Sequence, residues 1–254
     1  MGWMRKPMEN YKGRHCGCVP GTHAALVEMI RKHVRPTGGV LDIGAHAGAL
    51  LMRLQDAGFS DLYGTDLDPT RFNCPGAEFK RLELNADFAA EFDRKFNLIT
   101  STDVVEHLDS PRHFLLQARE LLTDGGYLGV SLPNVAFWEG RCKFALKGEL
   151  WGFGARNYLE QRHISPLTFE MMDMLMREVG FEIAEATSAG SFATIPRAIL
   201  TFPIWALIRL LGGSHALGES AIFLARKTAP NMELKSPIHY RDRWRGVPDR
   251  IGLE

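Results

Sequence analysis

Short apolar runs alternate with helix-like segments along most of the chain, and this alternation restricts the possible folds more than any other feature. The runs that predict strands are GVLDIG, DLYGTD, EFKRLEL, FNLITST, YLGVSL, FEIAEAT and SAIFLARK. Amphipathic segments such as ALLMRLQDAG and LTFEMMDMLMREVG stand between them. Strands that alternate with helices form a mostly parallel sheet covered on both faces. The sequence therefore predicts an α/β fold.

Charge and cysteine content exclude several kinds of partner. The 254-residue chain has 30 Lys and Arg against 30 Asp and Glu, so its formal net charge is zero. Nucleic-acid binding usually requires a basic excess, and we therefore expect no nucleic-acid partner. Cys16 and Cys18 lie near two histidines, but one-residue spacing rarely makes a zinc site. We expect no bound metal and, without a secretory signal, a cytoplasmic protein.

The stretch VLDIGAHAGALLMRL, residues 40–54, joins a predicted strand to a predicted helix through a glycine-bearing turn. Such a turn lets backbone amides approach a ligand that faces the helix N-terminus. Asp42, Gly44 and Gly48 give the spacing D-x-G-x-x-x-G, which differs from the dinucleotide pattern G-x-G-x-x-G and from the Lys-containing phosphate loop. Asp66 ends the next predicted strand, where an acid can accept hydrogen bonds from a ribose.

With two later motifs, this stretch resembles the class I S-adenosylmethionine-dependent methyltransferases, in the branch of ubiquinone-type O-methyltransferases and glycan-cluster enzymes. The later motifs are FNLITSTDVVEHLDSP and DGGYLGVSLPN. The resemblance runs from about Gly21 to Lys227. It implies a Rossmann-like seven-strand, mostly parallel sheet with helices on both faces and an antiparallel last strand. His46 departs from the family pattern at the usual middle glycine, and Asn97 replaces the usual Asp.

The resemblance also implies a set of residues around the cofactor S-adenosylmethionine, whose product is S-adenosylhomocysteine. The expected cofactor-binding residues are Asp42, Gly44, Ala45, Gly48, Asp66, Leu67, Glu83, Leu84, Thr102 and Asp103. The glycine turn would contact the methionine part, Asp66 the ribose hydroxyls, and Asp103 the region of the sulfonium. The residue that accepts the adenine amine stays open between Glu83, Asn85 and Asp87.

Two histidines are candidate bases for the methyl acceptor. His107 follows Glu106 on a turn after the fourth predicted strand, and His163 precedes a predicted helix. Imidazole titrates in the range that suits proton transfer. The alternative for each is a packing or loop-ordering role. Methyl transfer from a sulfonium is an in-line displacement that depends mainly on alignment, so no elaborate catalytic constellation is expected.

The domain organisation follows from changes in pattern. We expect an N-terminal arm over 1–20, a methyltransferase domain over 21–227 and a C-terminal tail over 228–254. Within the domain, residues 133–165 are irregular and aromatic, and we expect them to cover the substrate. The candidate wall residues, whose alternative role is a small separate core, are Trp138, Phe144, Trp151, Phe153 and Tyr158.

A mostly apolar segment, residues 195–213, lies before the last predicted strand. Its apolar stretch between Arg197 and Arg209 is too short to cross a bilayer. It predicts a hairpin or helix pair that contacts the inner membrane face peripherally, with Trp205 as an anchor, or that covers a lipid tail. The alternatives are a buried helix and a homodimer surface.

These features together predict an S-adenosylmethionine-dependent methyltransferase. The most direct reaction is O-methylation of a small-molecule or glycan hydroxyl, including a lipid-linked acceptor. The alternatives are N- or C-methylation, and a non-catalytic protein that keeps the cofactor pocket for binding or scaffolding. A nicotinamide oxidoreductase is disfavoured because the dinucleotide glycine pattern is absent.

Overall fold

The computed structural model describes residues 9–190, 195–212 and 217–229. A short hairpin, β1 (Asn10–Tyr11) and β2 (Arg14–His15), precedes a seven-stranded sheet. The strands of that sheet are β3 (Gly39–Ile43), β4 (Asp61–Asp66), β5 (Ala77–Arg81), β6 (Phe96–Thr102), β7 (Leu122–Pro133), β8 (Phe181–Ala189) and β9 (Ser220–Lys227). Their order across the sheet is β5-β4-β3-β6-β7-β9-β8, and β9 alone is antiparallel to both of its neighbours. The predicted mostly parallel sheet is confirmed.

Helices cover both faces of the sheet. The α-helices of the described ranges are α1 (Thr22–His33), α2 (Ala49–Asp56), α3 (Pro111–Leu121), α4 (Trp138–Lys147), α5 (Ala155–Gln161), α6 (Phe169–Glu178) and α7 (Ile195–Gly212). Of these, α1 and α2 pack on one face of the sheet, and α3 and α6 on the other. Buried side chains of α1 and α2, including Leu26 and Leu50, form one core with the sheet. Buried side chains of α3 and α6, including Phe114 and Met172, form the other. Both faces of the central strands are therefore withdrawn from water, which matches their continuous apolar runs.

Several element boundaries differ from the sequence pattern. The predicted strand EFKRLEL is shorter, because β5 ends at Arg81 and the Leu82 N–H then donates to the Asp66 carbonyl at 3.2 Å. The predicted strand YLGVSL is longer, since β7 begins at Leu122, which pairs with Phe96. The predicted hairpin or helix pair is wrong: α7 is one helix with Pro203 inside it. No helix in the three described ranges is both long and apolar enough to cross a membrane.

The N-terminal segment packs on the sheet domain. Lys12 Nζ lies 2.6 Å from Asp56 Oδ1 at the end of α2, and Arg14 Nε donates to the Asn73 carbonyl at 2.8 Å. The expected arm is thus part of the folded body from residue 9 onward. Residues 1–8 of that arm, and 230–254 of the expected tail, lie outside the described residues.

Strand order places a ligand crevice at one edge of the sheet. β4 and β5 lie on one side of β3, whereas β6 and β7 lie on the other. The connections from β3 therefore diverge at its carboxyl end, and open α/β sheets bind ligands in the crevice at such a point. The register pairs Asp42 with Gly64 of β4 and with Thr100 of β6. The strand ends that carry the predicted site residues consequently meet at this edge.

Candidate active site

Two cavities open at the carboxyl edge of the sheet and share a wall. The first has a volume of about 580 Å³ and the second of about 630 Å³. Gly17, Asp103, His107 and Gln161 line both of them. A ligand in the first cavity would therefore be separated from a ligand in the second by only these few residues.

The first cavity collects all but one of the predicted cofactor-binding residues. Those that line it are Asp42, Gly44, Ala45, Asp66, Leu67, Glu83, Leu84, Thr102 and Asp103. Gly48 does not line it. Instead, Gly48 precedes α2 with a φ of 80°, and a Cβ there would lie 2.8 Å from the Cβ of Cys74. Its place in the motif is explained by this backbone conformation and by close packing between α2 and the loop after β4.

The turn after β3 brings backbone very close to the next element. The N–H groups of Gly44 and Ala45 both donate to the Thr65 carbonyl at 2.8 Å. Gly44 has a φ of 77°, and a Cβ there would lie 2.3 Å from a methyl carbon of Val104. His46, at the usual glycine position, keeps the left-handed backbone with a φ of 47°. The turn therefore retains its shape at a strain cost of about 1–2 kcal/mol.

Asp66 ends β4 with a carboxylate that the backbone holds in place. Its Oδ2 accepts the His46 N–H at 2.9 Å, and its Oδ1 accepts the Asp68 N–H at 3.1 Å. A carboxylate oxygen has two lone pairs, so each oxygen can accept one further hydrogen bond. This arrangement suits a ligand with two adjacent hydroxyls. Leu67, beside it, is 54% exposed at the cavity mouth.

Asp42 lies on the floor of the first cavity. Its side chain is buried, and Thr100 Oγ1 donates to its Oδ1 at 2.8 Å. Burial raises the pKa of Asp42 from its usual 3.8 to about 7, and the Asp66 charge acts in the same direction, while the Thr100 hydrogen bond opposes the rise. Asp42 therefore titrates near neutral pH, and a bound cationic ligand would favour its ionised form.

The far end of the first cavity is formed by residues after β5. Glu83 and Asn85 line it, and Glu83 Oε1 accepts the Asn85 N–H at 3.1 Å. Asn85 Oδ1 accepts the Asp109 N–H at 3.1 Å, which fixes the amide. Asp87, the third alternative, does not line the cavity, and its side chain is 84% exposed. The geometry therefore leaves Glu83 and Asn85 as acceptors at this end.

Asp103 stands at the boundary between the cavities. It has a left-handed φ of 52°, and Ser131 Oγ donates to its Oδ1 at 2.8 Å. Burial raises the pKa of Asp103, and the Ser131 hydrogen bond opposes this rise. Beside it, Thr102 Oγ1 lies 3.3 Å from Nε2 of His23. Burial lowers the pKa of His23 to about 3, so that its imidazole is neutral at physiological pH.

The two candidate bases contact each other in the wall of the second cavity. The rings of His107 and His163 are 4.7 Å apart, centroid to centroid, and nearly perpendicular at 79°. His107 Nδ1 lies 2.6 Å from the Gln161 carbonyl oxygen, and His163 Nδ1 lies 2.7 Å from that of Gly152. Carbonyl oxygens only accept, so each Nδ1 carries a proton and Nε2 remains as the basic nitrogen. Burial lowers the pKa of His163.

A buried carboxylate beside these histidines was not predicted from the sequence. Glu106 is fully buried, lines the second cavity, and neither of its carboxylate oxygens has a hydrogen-bond partner. Burial raises its pKa well above the usual value, and the Asp103 charge adds to the rise. Cys16, Gly17 and His23 were missed as well, although each lines the first cavity.

Only some of the five aromatic residues expected to form cavity walls lie at a cavity. Trp151 lines the second cavity, and the ring of Phe153 lies 5.6 Å from that of His163. Trp138 is a core residue with 2% exposure. Phe144 and Tyr158 are more than half exposed. Residues 133–165 therefore contribute to the second cavity mainly through their second half.

The chain matches known proteins along most of its length. A family model described as a methyltransferase domain matches residues 20–186. The ribosomal protein L11 methyltransferase of Desulfosudis oleivorans is 28% identical over 99 residues, which are 34% of this chain and 33% of that protein. The chain thus matches only about a third of the length of this curated relative.

Solved structures share the fold. A S-adenosylmethionine-dependent methyltransferase from Archaeoglobus fulgidus has 18% identity and a TM-score of 0.58, covering 81% of this chain and 92% of its own. The magnesium protoporphyrin IX methyltransferase from Synechocystis PCC 6803, with bound S-adenosylhomocysteine, has 14% identity and a TM-score of 0.51, covering 82% of each chain. Because the family model matches about two thirds of the chain, the chain belongs to the family of methyltransferase domains, and it shares the fold of these S-adenosylmethionine-dependent enzymes.

Proposed function

We propose that this protein transfers a methyl group from S-adenosylmethionine in the first cavity to an acceptor in the second. The observation that carries the proposal is the shared wall, because Asp103 and His107 line both cavities. The residues present fit the cofactor: the glycine turn lines the first cavity at Gly44 and Ala45, and the Asp66 carboxylate retains acceptor capacity. When bound, S-adenosylmethionine supplies a methyl group activated by its sulfonium.

The chain's own residues would bind and orient the cofactor. Asp66 would accept the ribose hydroxyls, and Glu83 or Asn85 would accept the adenine amine. Asp42 and Asp103 would face the positive end of the cofactor, where a buried and a half-buried carboxyl, both of raised pKa, favour a cation. Such pre-arranged polar groups need little reorganisation when the ligand arrives, and this assists both binding and alignment.

The second cavity suits a hydroxyl-bearing acceptor. It is lined by side chains of both charge signs, among them Lys143, Arg156 and Glu160. Such a mixture matches the polar surface of a sugar or phenol better than a purely apolar group. The lowered pKa of His163 keeps its imidazole neutral, with Nε2 free to receive the hydroxyl proton. O-methylation is therefore our leading reaction, and N- or C-methylation remains an outcome of the acceptor screen.

We expect His163→Ala to lower turnover by about 100-fold or more, the usual contribution of a general base, with S-adenosylhomocysteine affinity unchanged. His163 lines the second cavity and not the first, which is why binding and turnover should separate. Turnover is measured as transfer of a labelled methyl group to phenols, sugars and lipid-linked glycans. Calorimetric titration measures the affinity for S-adenosylhomocysteine. His113→Ala is the matched control, because that imidazole contacts the Ala86 carbonyl outside both cavities.

Each result has a defined meaning. Unchanged turnover in the His163 variant would remove its role as a base. Product binding without transfer to any acceptor class would favour the non-catalytic, cofactor-binding alternative.

We also propose that α7 lies against a membrane surface and brings the site to a lipid-linked acceptor at the inner face. Ile199, Phe202, Leu207 and Leu210 are each more than half exposed, an unusual concentration of apolar side chains. The Arg209 guanidinium lies 5.7 Å from the Trp205 ring centroid, a pairing that suits the headgroup region.

Vesicle co-sedimentation tests this proposal. Wild type should bind vesicles that contain anionic lipid, and Leu207→Glu should reduce the bound fraction at least tenfold by placing a charge in the apolar face. Leu146→Glu on α4 is the control, since Leu146 is also strongly exposed. Equal binding by wild type and both variants would exclude α7 as the contact. If wild type does not bind lipid, and light scattering shows a lower molar mass for Leu207→Glu than for wild type, the homodimer alternative would be supported instead.

A further inference from the structure

We infer that Glu106, His107 and His163 form a binding site for one divalent transition-metal ion at the wall between the two cavities. The inference deepens the proposed function and rests on it for its purpose, because the ion would lie where the acceptor is held. Each of the three residues offers one ligand atom, and these three atoms all lie within 4.8 Å of one another. His107 Nε2 lies 4.0 Å from Glu106 Oε1.

Both histidines already have the outer contacts that metal-binding histidines show. Each places Nδ1 against a backbone carbonyl, that of Gln161 for His107 and that of Gly152 for His163. In metal sites such a contact fixes the ring and directs the lone pair of the other nitrogen at the ion. The same tautomer, with a free Nε2, is imposed on both rings here. Two histidines with only a packing role would not need to share this tautomer.

Glu106 gives an independent reason to expect a cation. Its side chain is fully buried, and both carboxylate oxygens lack a hydrogen-bond partner. A buried carboxylate without a partner is costly, whether it stays ionised or takes up a proton without finding an acceptor. The Asp103 charge would only repel that of Glu106. A divalent ion beside the two imidazoles would satisfy these oxygens.

The backbone holds the two halves of the cluster together. The Glu106 carbonyl accepts the N–H groups of Ile164 and Ser165, at 2.9 and 3.0 Å. The loop that carries His163 is therefore attached directly to the turn that carries Glu106 and His107. A bound ion about 2.1 Å from each ligand would place the ligand atoms roughly 3–3.5 Å apart. The required contraction, up to about 1.3–1.8 Å from the separation of 4.8 Å, is within reach of side-chain rotation on this fixed backbone.

The ligand set indicates the kind of ion. Two imidazoles and one carboxylate with open positions are typical of zinc, iron(II), cobalt or manganese, whereas magnesium and calcium prefer oxygen ligands. An open position facing the second cavity would bind the acceptor oxygen and lower the pKa of its hydroxyl. With its Nε2 bound to the ion, His163 would act as a metal ligand in place of the general base of the proposed function, and the hydroxyl proton would pass to solvent. The acceptor oxygen would form its bond to the methyl carbon as the carbon–sulfur bond breaks, leaving a neutral thioether.

The test is direct metal binding by the full-length protein. Chelator-treated protein is titrated with Co²⁺ while its visible absorption is recorded, and with Zn²⁺ by calorimetry. We expect one equivalent to bind wild type, and on the order of 100-fold weaker binding to Glu106→Gln and His163→Ala. His113→Ala, outside both cavities, should bind as wild type does. Circular dichroism establishes that each variant is folded.

The outcomes separate this inference from the proposed function. No bound Co²⁺, or equal affinity in Glu106→Gln, overturns the metal site, while retained S-adenosylhomocysteine binding keeps the methyltransferase proposal. Co²⁺ binding without S-adenosylhomocysteine binding would support the metal site and contradict the methyltransferase proposal. An intense thiolate charge-transfer band that persists in Glu106→Gln and disappears in Cys18→Ser would assign the ion to the N-terminal cysteines, and would also overturn the inference.

Discussion

Asp66→Ala is expected to weaken S-adenosylhomocysteine binding by about 100-fold to 10,000-fold. The carboxylate would lose two hydrogen bonds to ribose hydroxyls, and hydrogen bonds to a charged group contribute about 1.5–3 kcal/mol each. The variant also leaves the N–H groups of His46 and Asp68 without their present acceptor, which loosens the turn that contacts the ligand. Calorimetric titration measures the affinity directly.

Asp68→Ala is the matched control for this variant. Its carboxylate bonds to Thr70, it does not line the first cavity, and it lies only two residues away. We expect its affinity for the product to stay within about twofold of wild type, as for a surface substitution. Asp66→Ala protein that is folded and binds the product as tightly as wild type would show that the first cavity does not hold the ribose at Asp66.

The fold could be predicted because its determinants are local and repeated. Apolar runs, helical periodicity and glycine turns recur along the chain, and each is readable within a few residues. Gly44 is a case in which this reading extends to the site, because only glycine tolerates both its φ and the nearby Val104 methyl. Gly48 shows the limit of such a prediction. It belongs to the same motif, but it packs against Cys74 and does not line the cavity.

The residues that were missed depend on contacts between distant parts of the chain. Glu106 reads as half of an ordinary EH pair, and only the folded chain shows it buried against the loop that begins at His163. His23 occupies the apolar face of α1 with Leu26 and Ile30, the one signal that could have indicated its burial. Cys16 reaches the cavity because the N-terminal segment, which the sequence predicts as an arm, packs on the sheet domain.

A buried acid of raised pKa should make the protein itself sensitive to pH. Asp42 has a pKa of about 7 when folded and 3.8 as its ordinary value. The folded state therefore binds this proton more tightly than the unfolded state, and the associated stability is present below about pH 4. It is lost as the pH rises toward 7, by up to about 4 kcal/mol at 1.36 kcal/mol per pH unit. Above pH 7 the folded protein contains a buried charge.

Asp42→Asn is accordingly expected to raise the free energy of unfolding at pH 8 by up to about 4 kcal/mol, and to have little effect near pH 4. The amide oxygen still accepts the Thr100 hydroxyl but cannot ionise. Denaturant unfolding at both pH values measures this difference, with the exposed Asp124→Asn as a control that should not show it.

The same substitution should weaken S-adenosylmethionine binding, since an amide cannot offset the cofactor's positive charge as a carboxylate does. A variant that is more stable yet binds less cofactor would identify Asp42 as an acid retained for the ligand at the expense of the fold. An equal stability change at the two pH values would instead show that folding does not raise the pKa of Asp42, and that the carboxylate is solvated in the folded protein.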